Sequence, residues 1–200
     1  METMLNFSPA SERNKAIILD TLRTYLEQHQ NVLEIGSGSG QHAMYIAPHF
    51  KQLHWSPSEL AENVEALVSN LSVAKINNIS EPCVLDVTQH DWNLKISPDL
   101  VFTANTLHIM PEAAVRHFFH GVGRVITQGG RVCIYGPFKY AGEYTSDSNA
   151  EFDLWLKARD PLSGIRDFDL IVRWADEAGL ILEEDIPMPA NNQMLVWKKI

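Results

Sequence analysis

Cysteine is scarce in this 200-residue sequence: only Cys83 and Cys133 are present, and neither stands in a CxxC pair or beside a histidine at metal-ligand spacing. The sequence therefore argues against a disulfide framework and a structural zinc site, and we expect no metal. It also lacks an apolar stretch long enough for a signal peptide or a membrane span. These absences predict an unprocessed cytoplasmic chain with no membrane partner.

Positive charge is also limited, because 16 Lys and Arg face 25 Asp and Glu and leave a formal net charge of -9. This balance disfavours nucleic acid, which proteins hold mainly by its phosphates, and suits a neutral or cationic partner. Hydrophobic residues make up 45% and charged residues 20%, as in ordinary globular proteins. Length and composition predict one folded domain over residues 1–200.

Short apolar runs alternate with segments of helical periodicity along the chain. The Ser8-Pro9 pair predicts the start of a helix over residues 9–28. Periodicity and turn signals predict seven strands, at residues 32–35, 52–55, 83–87, 100–103, 131–135, 180–186 and 193–198. Helical crossovers between strands imply an α/β, Rossmann-like, doubly wound sheet that is mostly parallel. The short final connection predicts an antiparallel C-terminal hairpin.

Two serine–glutamate pairs have the spacing of a capping box, in which each side chain bonds a free N–H at a helix start. Ser56 with Glu59 predicts a helix running through Leu71, and Ser148 with Glu151 predicts a helix after the fifth strand. That second helix falls within residues 136–167, a polar and aromatic-rich stretch that interrupts the alternation of strands and helices.

Gly36, Gly38 and Gly40 occupy the turn between the first strand and the next helix, the usual ligand position in a doubly wound sheet. A tight turn without a ligand is the plain alternative. The dinucleotide fingerprint G-x-G-x-x-G is incomplete, because its third glycine position holds Gln41. An acid at Glu34 would repel a pyrophosphate but attract a sulfonium, which favours a cationic cofactor.

The stretch EIGSGSG at residues 34–40 resembles motif I of class I S-adenosylmethionine-dependent methyltransferases, and residues 99–111 resemble motif IV. The resemblance implies S-adenosyl-L-methionine as cofactor. It places ribose contacts near the end of strand two, where serine replaces the usual acid, and an adenine contact after strand three. The cofactor-binding residues expected are Arg13, Asn14, Glu34, Gly36, Ser37, Gly38, Gly40, Ser56, Glu59, Asp86, Val87 and Asn105.

Longer polar strings resemble one family more closely: SPASERNK at 8–15, NTLHIM at 105–110, TSDSNAEFD at 145–153, ARDP at 158–161 and GIRD at 164–167. They are similar to the domain of unknown function 938 family, which includes the vertebrate methyltransferase-like protein 26. The resemblance implies the class I methyltransferase fold, with residues 136–167 as an insertion or lid on the substrate side. The family's substrate is not established.

Methyl transfer mostly requires an acceptor held close, aligned and dry, with a base added for a protonated acceptor. We expect His108, Asp153 and Tyr140 to be the catalytic candidates, and a small molecule to be the acceptor, with a protein acceptor as a further possibility. The alternative for His108 is a structural role, in which its ring only packs behind the cofactor. Two rival functions are a non-catalytic S-adenosylmethionine-binding protein and an NAD(P)-dependent oxidoreductase.

Overall fold

The computed structural model describes residues 4–200, which fall into two compact units. The first unit comprises residues 4–86 and Trp92–Thr103. The second unit comprises Val87–Asp91 and Ala104–Ile200. Each unit brings together residues that are far apart in sequence.

Parallel strands and their crossover helices build the first unit. Its helices are α1 (Pro9–Leu26), α2 (Gln41–Ile46) and α3 (Val64–Ala74), and its strands are β1 (Asn31–Ile35), β2 (His54–Glu59), β3 (Cys83–Val84) and β4 (Leu100–Ala104, all but its last residue). Strand β1 pairs in parallel with β2 and with β4, and β2 pairs in parallel with β3. The apolar run in β1 is almost fully buried, as expected of a strand inside a parallel sheet.

The second unit carries the antiparallel part of the fold. Its helices are α4 (Glu112–Val125), α5 (Asp147–Arg159) and α6 (Phe168–Glu177), and its strands are β5 (Arg131–Gly136), β6 (Phe138–Tyr140), β7 (Glu143–Tyr144), β8 (Arg166–Asp167), β9 (Leu180–Met188) and β10 (Asn192–Lys199). Strand β10 pairs antiparallel with both β5 and β9. The β9–β10 pair is the predicted C-terminal hairpin, which is confirmed.

The strand order is β3-β2-β1-β4-β5-β10-β9 in the seven-stranded sheet and β7-β6-β8 in a three-stranded sheet. The predicted α/β class, with a mostly parallel seven-stranded sheet, is confirmed. Residues 136–167, predicted to interrupt the alternation, contain the small sheet and α5. No helix within residues 4–200 is both long enough and apolar enough to cross a membrane.

The predicted helix start at Ser56 and Glu59 is wrong. Both residues belong to strand β2, which runs to Glu59, and α3 begins only at Val64. Parallel pairing places Ser58 opposite Ile35 at the end of β1, so the main chain of this segment is used by the sheet. Pro57 is tolerated because it lies between the Trp55–Ile79 bridge and the start of β3 pairing at Ser58.

The second predicted capping box is also wrong, because the capping serine lies two residues earlier in the sequence. The hydroxyl of Ser146, not of Ser148, accepts the Asn149 N–H at 3.2 Å and caps α5. The helix that follows the glycine turn, α2, ends at Ile46 and continues as a short 3-10 turn, Ala47–His49. Pro48 explains this change, because its ring nitrogen has no N–H to continue the α-helical pattern.

Candidate functional site

The turn after β1 is built on three glycines with positive φ, Gly36 at 70°, Gly38 at 57° and Gly40 at 82°. A Cβ added to Gly38 would meet no atom within 4 Å, whereas one added to Gly40 would lie 2.8 Å from Leu67 Cδ1. Gly38 therefore leaves open space through which a ligand can approach the main chain. Gly40 instead permits α3 to pack closely against the turn.

Glu34 is 2% exposed at the end of β1 and braces this turn from inside. Its Oε2 accepts hydrogen bonds from Ser37 Oγ at 2.9 Å and from Trp55 Nε1 at 3.0 Å. Burial raises the pKa of Glu34 to about 7, although both hydrogen bonds oppose the rise. Predicted residues Glu34 and Ser37 thus contact each other, and their observed role is to hold the turn.

Glu59 ends strand β2 and meets the glycine turn directly. Its Oε2 accepts the Gly38 N–H at 2.7 Å, and its Oε1 accepts the Leu60 N–H at 2.9 Å. The expectation that serine replaces the acid at the end of this strand is wrong, because the strand continues past Ser56 to Glu59. Ser56 lies inside the strand, where its hydroxyl accepts from Ser80 Oγ at 3.3 Å.

The first half of α1 is joined to the glycine turn by buried polar side chains. His42 Nε2 lies 2.8 Å from Asn14 Oδ1. Gln41 Oε1 accepts from Ser8 N at 2.7 Å and from Ser39 Oγ at 2.8 Å. In the sequence, Gln41 stands out only because it occupies the third glycine position of the dinucleotide fingerprint, and no local pattern indicates its link to Ser8, since residues 8 and 41 are brought together only by folding.

The remaining cofactor candidates are spread over both units. Arg13 is exposed on α1, while its neighbour Asn14 is buried. Asp86 is half-buried after β3 and belongs to the first unit, whereas Val87 is buried and belongs to the second. Asn105 lies in the second unit with φ 60°, and its N–H donates to Tyr135 O at 2.8 Å.

His108 lies in the turn after β4 and is 5% exposed. Its ring packs edge-on to Phe152, with centroids 5.2 Å apart, and neither ring nitrogen bonds a side chain or main-chain group within residues 4–200. Burial and, to a smaller extent, the positive charge of Arg166 together lower the pKa of His108 to about 4. The imidazole is therefore neutral at pH 7 with its hydrogen-bonding capacity unused by the described protein.

Asp153 is fully buried on α5, and three donors surround its carboxylate. Oδ2 accepts from Tyr144 OH at 2.6 Å and from Lys157 Nζ at 2.5 Å, and Oδ1 accepts from Ile165 N at 2.6 Å. Burial raises the pKa of Asp153, but these hydrogen bonds outweigh burial and the net direction is down. These contacts account for Asp153 without a catalytic role, which stays a prediction.

Tyr140 is placed apart from Asp153 by its partners. Its hydroxyl donates to Asp185 Oδ2 at 2.8 Å, and its ring stacks on Phe168 at a centroid distance of 4.8 Å. Burial and the Asp185 carboxylate raise the pKa of Tyr140, so the phenol stays protonated. Its catalytic role also stays a prediction. Among residues 4–200, no group of three His, Cys, Asp or Glu side chains is arranged to hold a metal ion.

Comparison with protein families identifies one match that spans almost the whole chain. A family model described as "Protein of unknown function (DUF938)" matches residues 5–199. The match includes every predicted site residue.

Comparison with solved structures finds the same fold in proteins of low sequence identity. An O-methyltransferase family protein from Burkholderia thailandensis superposes with a TM-score of 0.83 at 14% identity, over 95% of this chain and 57% of that chain. Human N-acetylserotonin methyltransferase in complex with SAM gives 0.80 at 13% identity, over 95% and 52%. PigF with SAH gives 0.80 at 20% identity, over 95% and 56%. This chain spans little more than half the length of each.

Proposed function

This chain belongs to the DUF938 family of proteins of unknown function, and we propose that it is an S-adenosylmethionine-dependent methyltransferase. The observation that carries the proposal is the glycine turn, where the open face of Gly38 adjoins the carboxylate of Glu59. The fold shared with proteins whose structures contain SAM or SAH supports it.

The residues of the first unit fit such a cofactor. Glu59 is 9% exposed at the end of β2, and a carboxylate there suits the hydroxyl groups of a ribose. Gly38 provides room for close approach to the main chain, and Glu34 with Ser37 keeps the turn in shape. Asp86 would contact the adenine, and Asn14 and Arg13 complete the contacts that we propose for this unit. Val87 and Asn105 belong to the second unit, and their role at the cofactor stays a prediction. When bound, S-adenosylmethionine supplies a transferable methyl group on a sulfonium.

The residues of the second unit suit a small polar or aromatic acceptor more than a long polymer. His108 offers a neutral imidazole that can hydrogen-bond an acceptor or take its proton, and Asp153 supports the surrounding loops. A small-molecule acceptor is therefore our primary proposal, and a basic protein acceptor is the alternative that the net charge of -9 would suit. We place the protein in the cytoplasm, because Cys83 and Cys133 are both free thiols.

Calorimetric titration with S-adenosylmethionine, S-adenosylhomocysteine and NADH tests the cofactor. We expect micromolar affinity for the first two and no heat with NADH. Gly38→Arg should abolish binding, because the side chain fills the open face of the turn. Gly129→Arg is the matched control, since Gly129 also has positive φ and no atom within 4 Å of an added Cβ.

The outcomes separate the three candidate functions. Binding of NADH without either sulfur compound would overturn the methyltransferase proposal in favour of an oxidoreductase. Binding of S-adenosylmethionine, with no S-adenosylhomocysteine formed across a screen of phenols, amines, thiols and carboxylic acids, would favour a non-catalytic binding protein. Equal loss of affinity in Gly38→Arg and Gly129→Arg would show that the glycine turn is not the binding site.

A further inference from the structure

Four consecutive main-chain carbonyls in the turn after β4 all accept hydrogen bonds from one short segment of the second unit. Leu107 O accepts from Arg166 Nε at 3.1 Å, and His108 O accepts from Gly164 N at 2.9 Å. Ile109 O accepts from Ser163 Oγ at 2.8 Å, and Met110 O accepts from Arg166 Nη2 at 2.6 Å. We call this arrangement the carbonyl clasp.

Arg166 is the central residue of the carbonyl clasp. It is 8% exposed, and besides Leu107 O and Met110 O it donates to Leu162 O at 2.8 Å. Burying an arginine without an ion pair is expensive unless its N–H groups are hydrogen-bonded, and here three carbonyl oxygens accept hydrogen bonds from Nε and Nη2. The planar guanidinium can point N–H groups at Leu107 and Met110 at once, whereas a lysine ammonium cannot reproduce this fork.

The segment that makes the clasp is itself anchored to α5. Ile165 N donates to Asp153 Oδ1 at 2.6 Å, and a Cβ on Gly164 would lie 3.0 Å from that same oxygen. Gly164 has φ 155°, and its missing side chain allows the segment to approach the carboxylate. Asp153 thus anchors the segment whose residues donate to the carbonyls of the clasp.

The side chain presented by the clasped turn is His108. Both of its ring nitrogens are without a hydrogen-bond partner in residues 4–200, although the residue is buried. Neither nitrogen is among the fully buried unpaired side-chain atoms of residues 4–200, which are Trp92 Nε1 and Trp197 Nε1, so the ring nitrogens stay accessible to a hydrogen-bonding group of an acceptor. Fixing the backbone on both sides of His108 restricts the ring before binding. It therefore reduces the conformational entropy that the ring loses when an acceptor binds.

We infer that Arg166 is a positioning residue, which through the carbonyl clasp fixes the turn at residues 107–110 and so orients the His108 imidazole toward a hydrogen-bonding group of the acceptor. This inference rests on the proposed function, because only an enzyme with an acceptor needs His108 oriented. Asp153 acts one step further back, through Ile165.

Three variants of the full chain test the inference. Arg166→Lys keeps the positive charge and removes the fork, and Arg166→Met removes both. Arg173→Lys on α6 is the control, because Arg173 is exposed. Hydrogen exchange is measured at Gly164, Ile109 and Met110, and the His108 ring is titrated by NMR, with its signal assigned through His108→Gln. S-adenosylhomocysteine calorimetry is run on every variant.

With the clasp as inferred, amide exchange at Gly164, Ile109 and Met110 becomes about tenfold faster in Arg166→Lys and unchanged in Arg173→Lys. The His108 pKa stays low in Arg166→Lys and rises in Arg166→Met, because only the second variant removes the neighbouring charge. The ring's chemical shifts change in both variants, a signature that general destabilisation alone does not produce.

Exchange rates and His108 shifts that match wild type in Arg166→Lys would overturn the inference. If Arg166→Met does not fold, Arg166→Lys still decides the result. A wild-type protein that fails to bind S-adenosylhomocysteine would overturn the proposed function, and with it the acceptor role of His108, while the exchange data would separately confirm or refute the clasp.

Discussion

Three buried ionisable side chains, Glu34, His42 and His108, dominate the chemistry of single residues in this protein. Burial raises the pKa of Glu34 to about 7 and lowers those of His42 and His108 to about 4. All three shifts favour the neutral form, because removing a charge from water is costly. Their contributions to stability depend on pH in opposite directions.

Glu34→Gln should change the pH dependence of stability. Between pH 4.5 and 7 the unfolded Glu34 loses its proton while the folded one keeps it, so its contribution is present at low pH and lost as pH rises. The loss is on the order of 3 kcal/mol at full effect. Urea unfolding at pH 5 and pH 7.5 should therefore show wild type losing stability relative to Glu34→Gln.

The two histidines make this comparison necessary. Their folded-state pKa values lie below the ordinary value, so their contribution is complete above pH 6.5 and is lost as pH falls toward 4. The wild-type curve combines both trends, and the difference from Glu34→Gln removes the part due to His108, whereas His42, whose Nδ1 lies 3.9 Å from Glu34 Oε1, stays coupled to the carboxyl. Glu65→Gln, an exposed change on α3, is the control for replacing a glutamate that is not buried.

Asp153→Asn should destabilise the protein by about 2 kcal/mol, because an amide nitrogen would replace an oxygen that accepts from a buried donor. Tyr144, Lys157 and Ile165 all donate to this carboxylate. Guanidinium unfolding gives the free energy of unfolding. Asp176→Asn, on an exposed face of α6, should change it little, and equal values for the two variants would contradict the importance of the Asp153 contacts.

Among the helices, α5 offers the sharpest test of how an element begins. Ser146→Ala should cost about 1 kcal/mol, because its hydroxyl caps the Asn149 N–H. Ser148→Ala is the matched control, since Ser148 has capping-box spacing in sequence but lies past the cap in the structure. Thermal unfolding followed by circular dichroism should give a lower melting temperature for Ser146→Ala than for Ser148→Ala. A lower melting temperature for Ser148→Ala would instead support Ser148 as the cap of α5.

At the scale of the whole molecule, cofactor binding should appear as added stability. S-adenosylhomocysteine at 100 times its Kd should raise the free energy of unfolding by about 2.7 kcal/mol, since it binds only the folded state. Thermal shift with S-adenosylhomocysteine and NADH measures this. Gly129→Arg should keep the shift and Gly38→Arg should lose it, whereas a shift with NADH alone would contradict the proposed cofactor.

Elements with strong local signals were predicted well. The Ser8-Pro9 pair caps α1, which spans Pro9–Leu26, and the apolar run of β1 precedes the glycine turn. Both depend on neighbours in sequence, which act through steric preference and apolar periodicity. The two capping boxes were wrong, because Ser-x-x-Glu spacing also occurs inside β2 and inside the first turn of α5.

The candidate site was predicted in part. The glycine turn was predicted from the sequence, but the different roles of Gly38 and Gly40 were not. The open space beside Gly38 and the close contact of Gly40 with α3 depend on how the chain folds. Glu59 was named because the resemblance places ribose contacts near the end of strand two, while its bond to the Gly38 N–H comes from the extension of β2. The resemblance to methyltransferase motifs named the residues, and the length of one strand decided their contacts.

The sequence by itself determined the alternation of strands and helices, the antiparallel C-terminal hairpin and the glycine turn, because these depend on contiguous residues. Only the tertiary structure decided which polar groups are hydrogen-bonded and which residues are their partners. Arg166 and Leu107 are 59 positions apart, and Ser8 and Gln41 are 33 apart, yet each pair is hydrogen-bonded. Such bonds require two distant segments to be brought to within about 3 Å, and no local pattern carries that information.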